Sequence, residues 1–449
     1  MFRRVLVANR GEIAVRVIRA LHELNVEAVA VYSTADAGSL HRRLADHAVC
    51  IGPPPAAASY LNMPSVVAAA ETTGCDAVHP GYGFLSENPA FVRACEDNDL
   101  VFVGPDADVM ARMGDKAQAK REVAAAGVPL VPGADTATAA EARAAAEDIG
   151  YPVLLKARAG GGGKGMRLVG EPDLLEEAYT RASSEALAAF GDGRLYLEKA
   201  IAPARHVEIQ VIADADGGVL TLGDRECSIQ RRHQKLIEES PSVALDEETR
   251  AAMEASVAAA CRQIGYANAG TFEFLLAQDG SFYFIELNAR LQVEHPVSEA
   301  VTGIDIVREQ LRIASGRPLT LTGRAPRRGH AIEIRINAED PSRGFAPAPG
   351  VVERFRAPLG PGVRVDTHVE DGAVIPPYYD SLVAKVIAWD DDRPAAIERS
   401  RRALSELELR GVATTRDAAF EILGTEAFRS GVYSTSFLDE TRLEAVTAA

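Results

Sequence analysis

Between Gly270 and His295 the chain reads G-T-F-E-F-L-L-A-Q-D-G-S-F-Y-F-I-E-L-N-A-R-L-Q-V-E-H, with acids and amides at recurring alternate positions. Asp279-Gly280 has the chemistry of a two-residue hairpin turn, and both flanks carry the aromatic and branched side chains that favour strands. Counting outward from that turn, Gln278 faces Ser281, Leu276 faces Tyr283 and Glu273 faces Glu286. Carboxylates directly across a ladder repel, so this register requires a shifted proton or a cation between them; a hard divalent ion such as magnesium is the simplest answer. The alternation continues past Glu286, placing Asn288, Arg290, Gln292 and Glu294 on one side and Ala289, Leu291 and Val293 on the other. One face is core and the other carries the chemistry. A solvated sheet face is the ordinary reading of polar alternation, but the opposed glutamates argue against it.

A second stretch has the residues of a phosphate cradle. Y151-P-V-L-L-K156 reads as a strand and runs into A157-R-A-G-G-G-G-K164-G-M. Glycines such as Gly161, Gly162 and Gly163 let backbone N–H groups approach phosphate oxygens, and Lys156 and Lys164 supply charge. No Ser or Thr follows Lys164, so this is not the P-loop pattern. The glycines also predict a mobile lid. Further on, H206-V-E-I-Q-V-I212 puts His206, Glu208 and Gln210 on one strand face, where a lone histidine is as consistent with packing as with a ligand. D224-R-E-C-S-I-Q-R-R-H-Q-K235 is the one strongly basic island and reads as an anion site beside phosphates and metal. H79-P-G-Y-G-F-L-S-E-N-P and P376-P-Y-Y-D380-S are dense in turn residues; Tyr82 favours a substrate loop for the first, and a buried tyrosine corner fits the second equally well.

These stretches need a large scaffold to hold them. The chain has 449 residues, enough for two to four domains, and a net charge of -16, which disfavours a broad grip on nucleic acid or an anionic membrane. Five cysteines without C-x-x-C spacing argue against structural zinc and a disulfide framework. No signal peptide or membrane-length apolar run is present, so the expected location is cytoplasmic. Residues 3 to 31 read as strand, helix and strand, with Ile13, Val17, Leu21 and Leu24 on one helical stripe. The intervening turn lacks G-x-G-x-x-G, which makes this half scaffold rather than a dinucleotide site. A boundary is expected at G127-V-P-L-V-P-G, and a last domain near Gly329, opening on the alternating H330-A-I-E-I-R335-I-N-A-E-D.

In these motifs the whole chain resembles the biotin carboxylase component of biotin-dependent carboxylases, an ATP-grasp enzyme. The resemblance runs through R10-G-E-I-A, H79-P-G-Y-G-F-L-S-E-N, M113-G-D-K, G160-G-G-G-K-G-M, R205-H-V-E-I-Q, R231-R-H-Q-K, N288-A-R-L-Q-V-E-H, E333-I-R-I-N-A-E-D and Y378-Y-D-S. It implies an α/β fold: a Rossmann-like N-terminal domain (1–112), an ATP-grasp domain (113–315, lid about 131–202) and a mixed α/β C-terminal domain (329–440). It implies ATP contacts from Lys116, Lys156, Gly161, Gly162, Gly163, Lys164, Glu198, the backbone of Lys199, His206, Gln230 and His233. Glu273, Glu286 and Asn288 take the magnesium position, with manganese as the other candidate ion. Lys235, Arg290, Gln292 and Val293 form the bicarbonate pocket, Glu294 is the general base, and Tyr82, Arg335 and Asp380 meet biotin. Departures from the family pattern are Arg158, Ala289 and Thr415, and none removes a named chemical group.

The implied chemistry is phosphorylation of bicarbonate by ATP, release of CO2 from carboxyphosphate, and carboxylation of biotin N1, with Lys235 and Arg290 stabilising charge and Arg335 beside the ureido oxygen. Two rivals stand beside it: another ATP-grasp ligase of carbamoyl-phosphate type, and a non-catalytic nucleotide-binding relative. The chain contains no A-M-K-M carrier motif. The expected partners are therefore a biotin carboxyl carrier protein and a carboxyltransferase, as in an acetyl-CoA or acyl-CoA carboxylase, with a homodimer as the expected assembly.

Overall fold

The apolar run at Val5 lies in the middle of a parallel sheet in the computed structural model, which describes residues 1–157, 166–232, 234–441 and 443. The strands are β1 (Arg4–Val7), β2 (Glu27–Ser33), β3 (His47–Gly52), β4 (Ala77–His79) and β5 (Val101–Phe102), in the order β3-β2-β1-β4-β5. Val5, Leu6 and Val7 are wholly buried because β1 is covered on both faces, as parallel sheets require. Helix Gly11–Glu23 contributes Ile13, Val17 and Leu21 to one of those faces. The strand order reverses between β1 and β4, the usual place for a ligand crevice. There Asn9 Nδ2 donates to the carbonyls of Pro80 and Tyr82, both at 2.7 Å, tying the tyrosine loop to the end of β1.

The chain divides into two units, one of residues 1–128, 205–276 and 286–449, the other of 129–204 and 277–285. In the smaller unit, β6 (Gly133–Thr136), β7 (Val153–Ala157), β8 (Arg167–Val169) and β9 (Leu195–Lys199) form an antiparallel sheet in the order β6-β9-β7-β8. Helices Ala139–Ile149 and Leu175–Phe190 pack on it through Ala142, Ala146, Leu175 and Ala182.

The larger unit holds a second, mostly antiparallel sheet. Its strands are β10 (Arg205–Ala213), β11 (Val219–Arg231), β12 (Gln234–Ser240), β13 (Asn268–Leu276), the end of β14 (Phe282–Asn288), β15 (Gly323–Arg324) and β16 (His330–Asn337), then Val363–Thr367 and Leu382–Asp390. β16 lies between β12 and Leu382–Asp390, so the segment after Gly329 continues the sheet that begins at β13. Its alternation divides the work: Ile332, Ile334 and Ile336 join the core under helix Arg393–Glu406, while Glu333 and Arg335 leave the opposite face.

The structure corrects two expectations. The hairpin closes at Ala277 and Ser281, whose N–H and C=O lie 2.8 Å apart, so the loop is Gln278, Asp279 and Gly280 rather than the last two alone. Gly280 takes φ 84°, the left-handed position that ends a three-residue hairpin loop. β14 stops at Asn288, and residues 289 to 294 lead through a turn into helix His295–Thr302 instead of extending the strand. Most of the basic island belongs to β11 and β12, and Arg225 has no exposed surface.

Glu239, on β12, ties the C-terminal elements together. It accepts from His330 (2.7 Å), Arg393 (2.7 and 3.0 Å) and Tyr433. Burial alone would raise its pKa, but the His330 and Arg393 contacts outweigh burial and bring it to about 2. Glu239→Gln is expected to cost about 3 kcal/mol in urea unfolding at neutral pH, since it leaves a buried cation short of its partner. The depressed pKa sets the sign: the difference from the parent is full above the unfolded glutamate value of ~4.3 and disappears as pH falls toward the folded value.

Candidate active site

Two carboxylates do face each other directly, and they are Glu208 and Glu273, paired across β10 and β13. The cation between them is Lys235, whose Nζ lies 2.6 Å from Glu208 Oε2 and 3.1 Å from Glu273 Oε1. The same ammonium donates to Glu294 Oε1 at 2.6 Å. Burial works against the Lys235 charge, but Cys227 and the three glutamates outweigh it and hold the pKa well above the ordinary lysine value. Burial likewise disfavours a charged Glu273, yet Lys235 and His206 hold its carboxyl far below the usual range. His206 Nε2 sits 3.0 Å from Glu273 Oε2, off the line of a well-formed hydrogen bond. Its pKa is raised, because Glu273 overcomes the burial that would lower it.

Glu294 is gripped from both sides. Its second oxygen accepts from Arg335 Nη2 at 2.9 Å, and Arg335 Nε donates to Glu238 Oε1 at 2.6 Å. Burial would raise the Glu294 pKa, but Lys235, Arg335 and Arg225 hold it well below the carboxylate range. Arg290 donates to Glu87 Oε2 (2.8 Å), Asn288 Oδ1 (2.9 Å) and its neighbour's carbonyl at Leu291 (3.2 Å). The tyrosine-loop motif thus supplies, in Glu87, the anchor of an arginine two hundred residues away.

The other expected residues have the following contacts. Gln292 Nε2 donates to Glu273 Oε1 at 2.8 Å, and Asn288 Nδ2 donates to the same oxygen at 2.9 Å. The Val293 carbonyl accepts from buried Lys385 at 2.8 Å. Gln230 is buried and pairs with Lys235 across β11 and β12. Tyr82 donates to Glu12, and its pKa, raised mainly by burial, is also moved by Asp380 and Arg335. Asp380 accepts the Leu382 N–H at 2.9 Å. Thr415, one of the departures, is buried and donates its hydroxyl to the Arg335 carbonyl at 2.9 Å. Ala289 is also buried, and its N–H points to Glu87 Oε1 at 3.3 Å. In the smaller unit Lys156 is paired with Glu198, and Lys199 Nζ donates to the carbonyls of Gly150 and Tyr151, both at 2.9 Å. The Lys199 N–H is held by the Pro132 carbonyl at 2.8 Å. Arg158, Gly161, Gly162, Gly163, Lys164 and His233 lie outside the described residues.

Sequence reasoning missed Arg225. Its guanidinium donates to Glu208, Gln210, Thr271, Ser298 and Gln292, holding both the lysine's partner and a pocket amide in place. The signal was present in the alternation of D224-R-E-C, which is strand chemistry rather than loop chemistry.

The donor set fits a hard divalent ion. Glu273 is held in its charged form, and Glu286 is more open to solvent and already attracts a cation, with Lys116 Nζ 3.1 Å away. Asn288 stands two residues from Glu286 on β14 and donates through Nδ2 to Glu273, so side chains of β13 and β14 meet there.

Comparison with known proteins supplies the family. Residues 1–110 match the biotin carboxylase N-terminal domain, 115–322 the ATP-binding domain of the carbamoyl-phosphate synthase L chain, and 333–440 the biotin carboxylase C-terminal domain. The chain is 51% identical over 442 residues to a biotin carboxylase of Nostoc sp., covering 98% of this chain and 99% of that one. A crystal structure of a biotin carboxylase–β,γ-ATP complex from Campylobacter jejuni superposes with a TM-score of 0.92 at 46% identity, covering 98% of this chain and 99% of that one. The biotin carboxylase domain dimer of Hydrogenobacter thermophilus 2-oxoglutarate carboxylase, solved with MgADP, ADP and bicarbonate, gives 0.90 at 47% identity, covering 98% of each chain. With its buried carboxylate–lysine–arginine cluster and these full-length matches, the chain belongs to the biotin carboxylase family.

Proposed function

We propose that the chain carboxylates biotin with bicarbonate in an ATP-dependent reaction through carboxyphosphate. The observation that carries this reading is the double grip on Glu294 by Lys235 and Arg335, next to the charged Glu273. Bicarbonate is a poor electrophile, and phosphorylation gives it a leaving group. Lys235, Arg290 and Gln292 present the donors that hold the anion, while Lys116, Lys156 and His206 add charge for the phosphates. Magnesium, held by Glu273 and Glu286 with Asn288 beside them, supplies neutralisation of the phosphate charge.

Glu294 accepts the bicarbonate proton. In the resting site its low pKa makes it a weak base. When Lys235 turns to the bicarbonate and Arg335 to the biotin ureido oxygen, both cations leave the carboxylate, and its basicity rises as proton transfer is required. CO2 is then released together with phosphate, which takes the biotin N1 proton. The resulting ureido anion, stabilised by Arg335, attacks the CO2. Exclusion of water protects the carboxyphosphate.

At the finer level, the biotin is borne on a carboxyl carrier protein, the carboxyl group passes to a carboxyltransferase acting on acetyl-CoA or another acyl-CoA, and the working assembly is a homodimer. Among the described residues no helix is long and apolar enough to cross a membrane.

The test is bicarbonate-dependent ATP cleavage with and without free biotin. Stimulation by biotin supports the reading; cleavage driven by ammonia or an amino acid and indifferent to biotin would favour a carbamoyl-phosphate-type ligase instead. In the same assay Glu286→Gln is expected to raise the magnesium concentration needed for half-maximal rate by about tenfold, the scale of losing one ligating charge. An unchanged magnesium dependence would remove Glu286 from the metal position.

A further inference from the structure

The motif that carries Arg335 contains a second ionisable group that the reaction above does not use. Glu333 precedes Arg335 by two residues on β16, so both side chains leave the same face. It is completely buried, and among the described residues neither of its carboxyl oxygens has a hydrogen-bond partner. Directly across the ladder from it stands Glu238, also completely buried. Glu238 gives Oε1 to Arg335, while its Oε2 is likewise without a partner among the described residues.

Two carboxylates placed opposite each other and cut off from water cannot both keep their charge without a cation between them. The nearby cations are committed elsewhere. Lys385 Nζ donates to the Val293 carbonyl and pairs with Glu12 at 3.1 Å, with Asp366 3.9 Å away. Lys235 is shared by Glu208, Glu273 and Glu294, and Arg335 by Glu238 and Glu294. A single proton resolves the conflict: an O–H on Glu333 gives the free oxygen of Glu238 a donor and removes one of the two charges.

We propose that Glu333 is a carboxylic acid at neutral pH that donates its proton in a hydrogen bond to Glu238, and that this pair positions Arg335 against Glu294. The role rests on the reading of Arg335 and Glu294 given above. Burial pushes the Glu333 carboxyl well above its ordinary range, and Glu238 and Glu294 add to the rise against the pull of Lys385 and Arg335. Burial also raises Glu238, restrained by Arg335 and Lys235 and reinforced by Glu294. From helix His295–Thr302, His295 stands near Lys385 and is neutral, burial having pushed its pKa well down. While Glu333 holds its proton, Arg335 is divided between Glu238 and Glu294. Loss of that proton at alkaline pH adds a second negative charge behind the guanidinium and draws it away from Glu294.

The experiment is infrared difference spectroscopy of the full chain against Glu333→Gln in H2O and D2O at neutral pH, with the pH profile of biotin-stimulated ATP cleavage beside it. The parent is expected to show the D2O-sensitive carbonyl band of a buried protonated carboxyl, lost in Glu333→Gln. The alkaline limb of the variant's profile is expected to move to higher pH, because the amide donates as the acid does but cannot ionise. Glu333→Leu, which removes the donor, is expected to lose the band and to turn over about tenfold more slowly than Glu333→Gln, the cost of leaving a buried acceptor unpaired. A band that survives both substitutions overturns the proposal, as does an unmoved alkaline limb with equal losses in the two variants. If neither variant folds, absence of any such band from the parent overturns it. The band requires no turnover, so a parent that fails to use biotin would refute the functional reading while leaving this test intact.

Discussion

Glu294→Gln is expected to lower biotin-dependent turnover by about 100-fold or more while leaving ATP and magnesium binding intact, the scale of losing a positioned general base. The expectation follows from the partners left behind. Arg335 retains Glu238, and Lys235 retains Glu208 and Glu273, so the substitution removes the base without leaving either cation wholly unpaired. The fold therefore persists, and the loss falls on kcat rather than on the KM for ATP. Steady-state rates of bicarbonate-dependent ATP cleavage, together with nucleotide binding by calorimetry, separate the two. A variant with normal turnover would deny Glu294 the role of base.

Lys235→Met should damage both stability and activity. The ammonium is the shared partner of Glu208, Glu273 and Glu294, and the thioether that replaces it in similar volume leaves those carboxylates facing one another in a nearly dry site. Removing one partner of a buried ion pair costs about 3–5 kcal/mol, and turnover should fall below detection because the bicarbonate pocket loses its central cation. The pH dependence carries the more diagnostic sign. In the parent, Glu273 and Glu294 titrate below the unfolded glutamate value of ~4.3, so their contribution is present above that pH and is lost as pH falls through the folded values. In the variant Glu294 keeps Arg335 and Glu208 keeps Arg225, but the carboxyls lose the ammonium they share and their folded pKa values rise. Less of their contribution is then present above ~4.3 than in the parent. The stability gap between parent and variant should therefore widen from pH 4 to pH 7 in urea unfolding. A gap independent of pH would mean that Lys235 does not neutralise these carboxylates.

The order of chemical groups along the chain was legible without coordinates. The βαβ opening followed from apolar periodicity, and the division of β16 into a core face and a polar face followed from strict alternation around Arg335. The acidic, amide and cationic residues of N288-A-R-L-Q-V-E-H were correctly grouped, yet for an incomplete reason, because the strand that was to align them ends at Asn288. They still meet because the turn before helix His295–Thr302 brings Gln292 back to Glu273 and Glu294 onto Lys235. Sequence also identified that a cation must separate opposed carboxylates, but it did not find that Glu208 stands opposite Glu273 with Lys235 between them. The pair that faces in the structure, Glu208 and Glu273, comes from strands separated by more than fifty residues of intervening chain. Only the assembly of the sheet brings them together, and only burial decides that Lys235 stays charged, that Glu294 rests as a weak base, and that Arg225 and Glu333 lie beneath the site instead of in solvent. Burial and cross-strand pairing are properties of the closed sheet, and the types and spacing of residues along one strand do not contain them.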